Sequence, residues 1–142
     1  MIISPYLLSI VLAWLTAQGG KLFIYSIRNK VPISYRQLYV SGSMPSSHSA
    51  AVVALMSVVG MREGVDSAIF GVITLFAAIV MYDALMVRRS SGEQGEALSL
   101  LIKEQKSKIL LPRAAKGHQP LEVAVGALLG MVIGFGVYFF TK

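Results

Sequence analysis

The sequence contains no cysteine. It can therefore build neither a disulfide framework nor a thiolate nucleophile. It holds only two histidines, and without cysteine these do not make a protein zinc site. No metal and no cofactor is expected. Charge is also scarce, at 14% of 142 residues, against about 25% in soluble domains. The N-terminus has no basic n-region and no small-residue cleavage pattern leading into a soluble domain, so it reads as a first span and not as a signal peptide. No internal repeat or low-complexity segment is evident, which leaves a single domain, 1–142.

Apolar residues make up 55% of the chain and are clustered. Pro5 to Gly20 has no charge, Ser67 to Val87 has only Asp83 near its end, and Leu121 to Phe140 has only Glu122 in its first turn. About 20 residues at 1.5 Å rise cross the ~30 Å hydrocarbon core. The last two stretches fit that length and the first lies at its short end. A fourth run, Ser49 to Met61, is shorter. It reads as a span whose helix begins near Ser46, with polar residues buried against the bundle. The expected fold class is all-α: an integral membrane helical bundle of about four transmembrane helices.

Four spans leave three connections. Loop one, Lys21 to about Met44, holds Lys21, Arg28, Lys30 and Arg36. Loop three, Arg88 to Gly117, holds Arg88, Arg89, Lys103, Lys106, Lys108, Arg113 and Lys116. Eleven of the thirteen bases thus sit on one side, which the positive-inside rule places in the cytoplasm, with both termini outside. The net charge of +6 accordingly points to topology and anionic lipid, not nucleic acid. Within loop three, Glu93 to Leu111 reads as an amphipathic helix at the membrane surface, with Leu98, Leu101, Ile102 and Ile109 roughly on one face. A solvated loop helix is the alternative. Gly126, Gly130 and Gly134 form a small-xxx-small stripe that admits a close helix neighbour, either within the chain or in a homo-oligomer.

Ionisable groups near membrane depth are costly and are usually functional or paired. In Gly42-Ser43-Met44-Pro45-Ser46-Ser47-His48 the serines sit where a helix begins. A helix N-terminus with a serine cap is a ready anion site, and a first-turn histidine could protonate a leaving oxygen. In Lys116-Gly117-His118-Gln119-Pro120-Leu121-Glu122, Pro120 suits the first helical position. Glu122 lies one turn from His118, where a carboxylate can fix an imidazole tautomer for attack on phosphorus. The rival reading of the first motif is a plain helix cap with an incidental histidine, and that of the second is an interfacial histidine with a helix-capping glutamate. Phosphoryl transfer needs positive charge around the equatorial oxygens. Lys21, Arg28, Arg88, Arg89 and Arg113 lie near span ends on the histidine side, and Asp83 is placed to orient Arg88 or Arg89.

Together these residues resemble the type 2 phosphatidic acid phosphatases, relatives of the vanadium-dependent haloperoxidases. Lys21 and Arg28 have the spacing of that family's first motif, with Asn29 in place of proline. Pro45-Ser46-Ser47-His48 is similar to its Pro-Ser-Gly-His motif. Arg113, His118 and Glu122 are similar to its third, with the arginine one residue out of register, no serine before it, and glutamate for aspartate. Met44-Pro45-Ser46-Ser47-His48, Tyr82-Asp83-Ala84 with Val87-Arg88-Arg89, and Gly117 to Val123 resemble the divergent branch of that superfamily over nearly the whole chain. The resemblance implies His48 as general acid, His118 as nucleophile and Glu122 as its orienting acid. It also implies Lys21, Arg28 and Ser46 as phosphate ligands. Ser47, Asp83, Arg88, Arg89 and Arg113 complete the candidate substrate-binding set, with Arg88 or Arg89 standing in for the out-of-register arginine. The parent fold has about six helices, so a partner subunit could be needed to enclose the site.

The resulting expectation is a membrane lipid-phosphate phosphatase of the cell's inner membrane. It would work through a phospho-histidine without a metal, with its site facing the cytoplasm. Two other readings stay open: a non-enzymatic protein that binds lipid phosphate, and a small transporter using Asp83.

Overall fold

The computed structural model describes residues 3–30, 32, 44–107, 109–111, 117 and 119–142. Five α-helices account for nearly all of these: α1 (Pro5–Asn29), α2 (Ser47–Glu63), α3 (Ala68–Tyr82), α4 (Arg88–Glu104) and α5 (Pro120–Thr141). A π turn over Asp83–Val87 joins α3 to α4.

The helix starts follow local chemistry. Pro5 opens α1 and Pro120 opens α5, where the missing N–H costs nothing. Ser46 caps α2 and Ser67 caps α3, each accepting a backbone N–H three residues on. α5 begins with a capping box formed by Gln119 and Glu122, which satisfies two otherwise orphaned donors.

α2 is the central helix and packs on α1, α3 and α5. It runs antiparallel to α1: Gly20 meets Pro45 at one end, and the Tyr6 hydroxyl bonds the Glu63 carboxylate at the other. It runs parallel to α5: Ser46 bonds Glu122 at the first end, and Arg62 bonds the Thr141 carbonyl (2.6 Å) and hydroxyl (2.9 Å) at the second. At 17 residues, or about 26 Å, α2 is shorter than α1 and α5 yet reaches both ends of the bundle. Its polar start is buried, as expected, with Ser46, Ser47 and Ser49 all inaccessible. α1, the unbroken helix 68–104 and α5 are each long and apolar enough to cross a membrane.

Small residues fill the interior. Ala13 and Ala17 of α1 meet Ala50 and Ala54 of α2. On the other flank the glycine stripe of α5 lies directly on the α2 backbone. A Cβ at Gly126, Gly130 or Gly134 would come within 2.4, 2.3 and 2.7 Å of the carbonyl oxygens of Ser46, Ala50 and Ala54. The stripe is thus covered by α2 of the same chain, the within-chain packing that its spacing admits. Large apolar side chains such as Leu7, Val11, Val72, Leu75, Val132 and Phe139 face outward. Small residues inside and large apolar residues outside is the arrangement of a helical bundle solvated by lipid, and the protein is a membrane helical bundle.

Two expected boundaries are corrected. The first helix does not end at Gly20 but continues to Asn29, stopped by Lys30 in the left-handed conformation with its N–H on the Ser26 carbonyl. No breaker stands between Lys21 and Asn29, and Gly20 is held against Pro45, so Lys21 and Arg28 are helical and not part of a loop. The amphipathic helix expected over Glu93 to Leu111 is also not a separate element. Nothing between Tyr82 and Arg88 breaks the helix, so the third span runs through the π turn into α4, which stops at Glu104. Ile109 lies outside it.

Candidate active site

Four distant segments meet at one end of the bundle, around the start of α2. From α2 itself comes Ser46, whose buried hydroxyl accepts from the Ser49 N–H (3.4 Å) and the Ser49 hydroxyl (2.9 Å). Ser47 and His48 are the first two residues of the helix. Ser47 is buried and His48 is exposed.

From α5 comes Glu122. Its Oε2 accepts the Gln119 N–H at 3.2 Å, and its carbonyl accepts the Ser46 N–H at 2.9 Å. The second bond ties the Pro-Ser-Ser-His segment directly to the His-Gln-Pro-Leu-Glu segment. It is reinforced one turn on, where Gly126 leaves no room for a side chain against Ser46.

From α1 comes Lys21, half-buried and within electrostatic reach of Glu122. Arg28 stands seven residues on, two helical turns along the same face, exposed in the last turn of α1. Gly20 packs on the Pro45 ring, with a Cβ position 3.6 Å from its Cδ. Lys21 is therefore carried to the start of α2.

From the third helix come Asp83, Arg88 and Arg89. Arg88 Nε bonds Asp83 Oδ2 at 2.8 Å, and Arg89 Nε bonds Glu93 Oε1 at 3.0 Å. The π turn also packs on α5. Gly117 lies against the Arg89 backbone so closely that a Cβ there would sit 2.3 Å from Arg89 Cα. The residue next to His118 is thus docked on the start of α4. Of the candidate residues, His118 and Arg113 lie outside the described ones.

Sequence reasoning identified the polar residues and the packing stripe that includes Gly126, but not Gly20, which brings Lys21 to Pro45. The signal for Gly20 was visible: a Gly-Gly pair immediately before Lys21 in an otherwise apolar helix. A helix N-terminus, a lysine, arginines on two helices and a histidine thus lie at the same end of the bundle, groups of the kind that bind an anion.

A family model described as the Divergent PAP2 family matches residues 3–133. The chain is similar to the uncharacterized membrane protein YuiD of Bacillus subtilis (strain 168), 38% identical over 139 residues, covering 78% of this chain and 85% of that protein. No solved structure matches the chain.

Proposed function

The chain belongs to the Divergent PAP2 family, and from that premise we propose that it is a lipid-phosphate phosphatase that hydrolyses a phosphomonoester or diphosphate through a phospho-histidine. The observation that carries this reading is the convergence of Lys21, the Ser46–His48 helix start, Gly117 beside His118, and Glu122 at one end of the bundle. In this reading His118 attacks phosphorus, and Glu122 orients it. Phosphorus forms a bond to the imidazole nitrogen as the ester or anhydride oxygen leaves with a proton from His48. Water, deprotonated by His48, then cleaves the phosphorus–nitrogen bond and releases inorganic phosphate. Lys21, Arg28 and the arginines of the third helix balance the phosphoryl charge. Ser46 and Ser47 border that region, and Arg113 belongs to the same candidate set. The site faces the cytoplasm in this reading, since eleven of the thirteen bases fall in the sequence segments 21–44 and 88–117 that join the helices at that end. Its substrate is then a lipid phosphate displayed on the inner leaflet of the cell membrane.

The test is phosphate release by purified protein across a panel of lipid phosphates, with His118→Ala as control. Turnover that survives in the variant would overturn the assignment. One observation favours the non-enzymatic lipid-phosphate binder: Glu122 is engaged in a capping box. That reading requires binding without turnover by the unaltered protein.

A further inference from the structure

The helix from Ala68 to Glu104 contains one irregularity, the π turn over Asp83–Val87. Such turns are rare and concentrate at functional sites. We propose that this turn is a positioning element. It sets Arg88 as the phosphate-binding guanidinium that complements the two histidines, with Asp83 as the positioning residue that holds it. The inference rests on the phosphatase reading and deepens it by choosing between the two neighbouring arginines.

The first argument is register. In an α-helix residues five apart differ by about 140° around the axis and do not meet. The wider π turn stacks them, and Arg88 is joined to Asp83 twice, by its backbone N–H to the Asp83 carbonyl and by its Nε to the carboxylate at 2.8 Å. The pair exists because the turn is π.

The second argument is direction. The buried face of this helix runs through Ile73, Ala77 and Ala84. Arg88 follows directly after the π turn, exposed and stacked on Asp83, and the turn itself contacts α5. Arg89 is rotated a further ~100°, and its Nε pairs with Glu93 one turn on. Arg89 contributes its backbone as the surface on which Gly117 rests.

The third argument is chemical. A carboxylate repels phosphate, so Asp83 is not a ligand. By taking the Nε–H of Arg88, it holds the guanidinium plane and leaves the paired Nη groups to meet two phosphate oxygens. A lysine could not present that fork.

The experiment uses the full chain in detergent and measures two things: affinity for inorganic phosphate by calorimetry, and the thermal unfolding midpoint. Asp83→Asn and Arg88→Lys should each weaken phosphate binding about tenfold, the loss of one oriented charge-assisted contact. The exchanged pair, Asp83→Arg with Arg88→Asp, should recover the unfolding midpoint but not the affinity, because the guanidinium then stands at the wrong position. If Asp83→Asn binds phosphate as the unaltered chain does, or if the exchanged pair regains full affinity, the inference fails while the phosphatase reading stands. If the unaltered chain neither binds phosphate nor releases it from lipid substrates, the phosphatase reading fails and this inference with it.

Discussion

Glu122 performs several jobs in one residue. Its carboxylate closes the capping box on Gln119, its carbonyl receives the Ser46 N–H, and it lies within electrostatic reach of Lys21. Two substitutions separate these roles. Gln can still accept the Gln119 N–H in a capping box, whereas Ala cannot. Glu122→Ala should therefore cost about 0.5–2 kcal/mol, the usual range for a lost cap, in reversible unfolding in detergent, and Glu122→Gln should cost little. Both should lose phosphatase turnover by at least about tenfold if the negative charge orients His118, a stabilisation of more than 1.4 kcal/mol in the transition state. Full turnover in Glu122→Gln would reduce the residue to a cap. A second prediction concerns His118. Rapid-quench trapping with a phosphorylated lipid should label the unaltered chain and leave His118→Ala unlabelled. Undiminished labelling would move the nucleophile elsewhere. At this scale much was legible in advance. Ser46 as a cap and Pro120 as a first helical residue follow from contacts within a single turn. The Ser46–Glu122 bond was not legible, because it joins segments far apart in the chain.

Among the helices, the contact that aligns the site is α2 against α5, and glycine makes it possible. At Gly130 a Cβ would sit 2.3 Å from the Ala50 carbonyl oxygen, a backbone atom that cannot turn aside, whereas at Gly136 on the same helix nothing lies within 4 Å. Gly130→Ala should therefore destabilise by about 1–3 kcal/mol, as overpacking does. Gly136→Ala should be neutral or stabilising, because Ala is the better helix former by roughly 0.5–1 kcal/mol. Thermal midpoints of the two variants in one detergent check this, and equal losses would mean that α5 packs differently. Because Gly126 belongs to the same stripe, prying α2 and α5 apart should also separate Ser46 from Glu122 and lower phosphate affinity. The stripe itself was legible from its four-residue spacing, but its partner was not. Small residues permit close approach without selecting a neighbour, and α2 is selected only once the short second helix is placed in the middle. The same limit explains the misjudged helix ends. Composition marks where the apolar stretch stops, whereas a helix stops where its backbone bonds do. Lys21–Asn29 and the π turn are helical continuations that apolar run length does not report.

For the molecule as a whole, the two ends of the bundle differ in charge. The site end carries Lys21, Arg28, Arg88 and Arg89 on its helices, and the other seven bases of the two basic sequence segments, 21–44 and 88–117, follow these in the sequence, while the opposite end holds Arg62 and Lys142. Even with every arginine and lysine of the candidate site set aside as a substrate ligand, the site end keeps the excess. The cysteine-free sequence makes the orientation measurable with single cysteines. Gln105 and Val65 are both exposed and stand at opposite ends. In intact cells Val65→Cys should react with a membrane-impermeant maleimide and Gln105→Cys should not. The reverse pattern would place the site, and its substrate, at the outer leaflet. Gly64 is the poorer choice, since its φ of +89° and the nearby Asp66 carboxylate disfavour any side chain. The sequence by itself determined that this is a membrane protein of helices, which residues cap them, and which end is basic. Burial of apolar surface in lipid, satisfaction of backbone bonds within each helix, and charge asymmetry are properties of composition and short spacing. Only the tertiary structure decided that Ser46 bonds Glu122, that Gly20 carries Lys21 to Pro45, that Gly117 rests on Arg89, that α2 covers the glycine stripe, and that Asp83 takes Arg88. Each of those depends on the register between helices, which small buried residues set to within a few ångströms and no local pattern encodes.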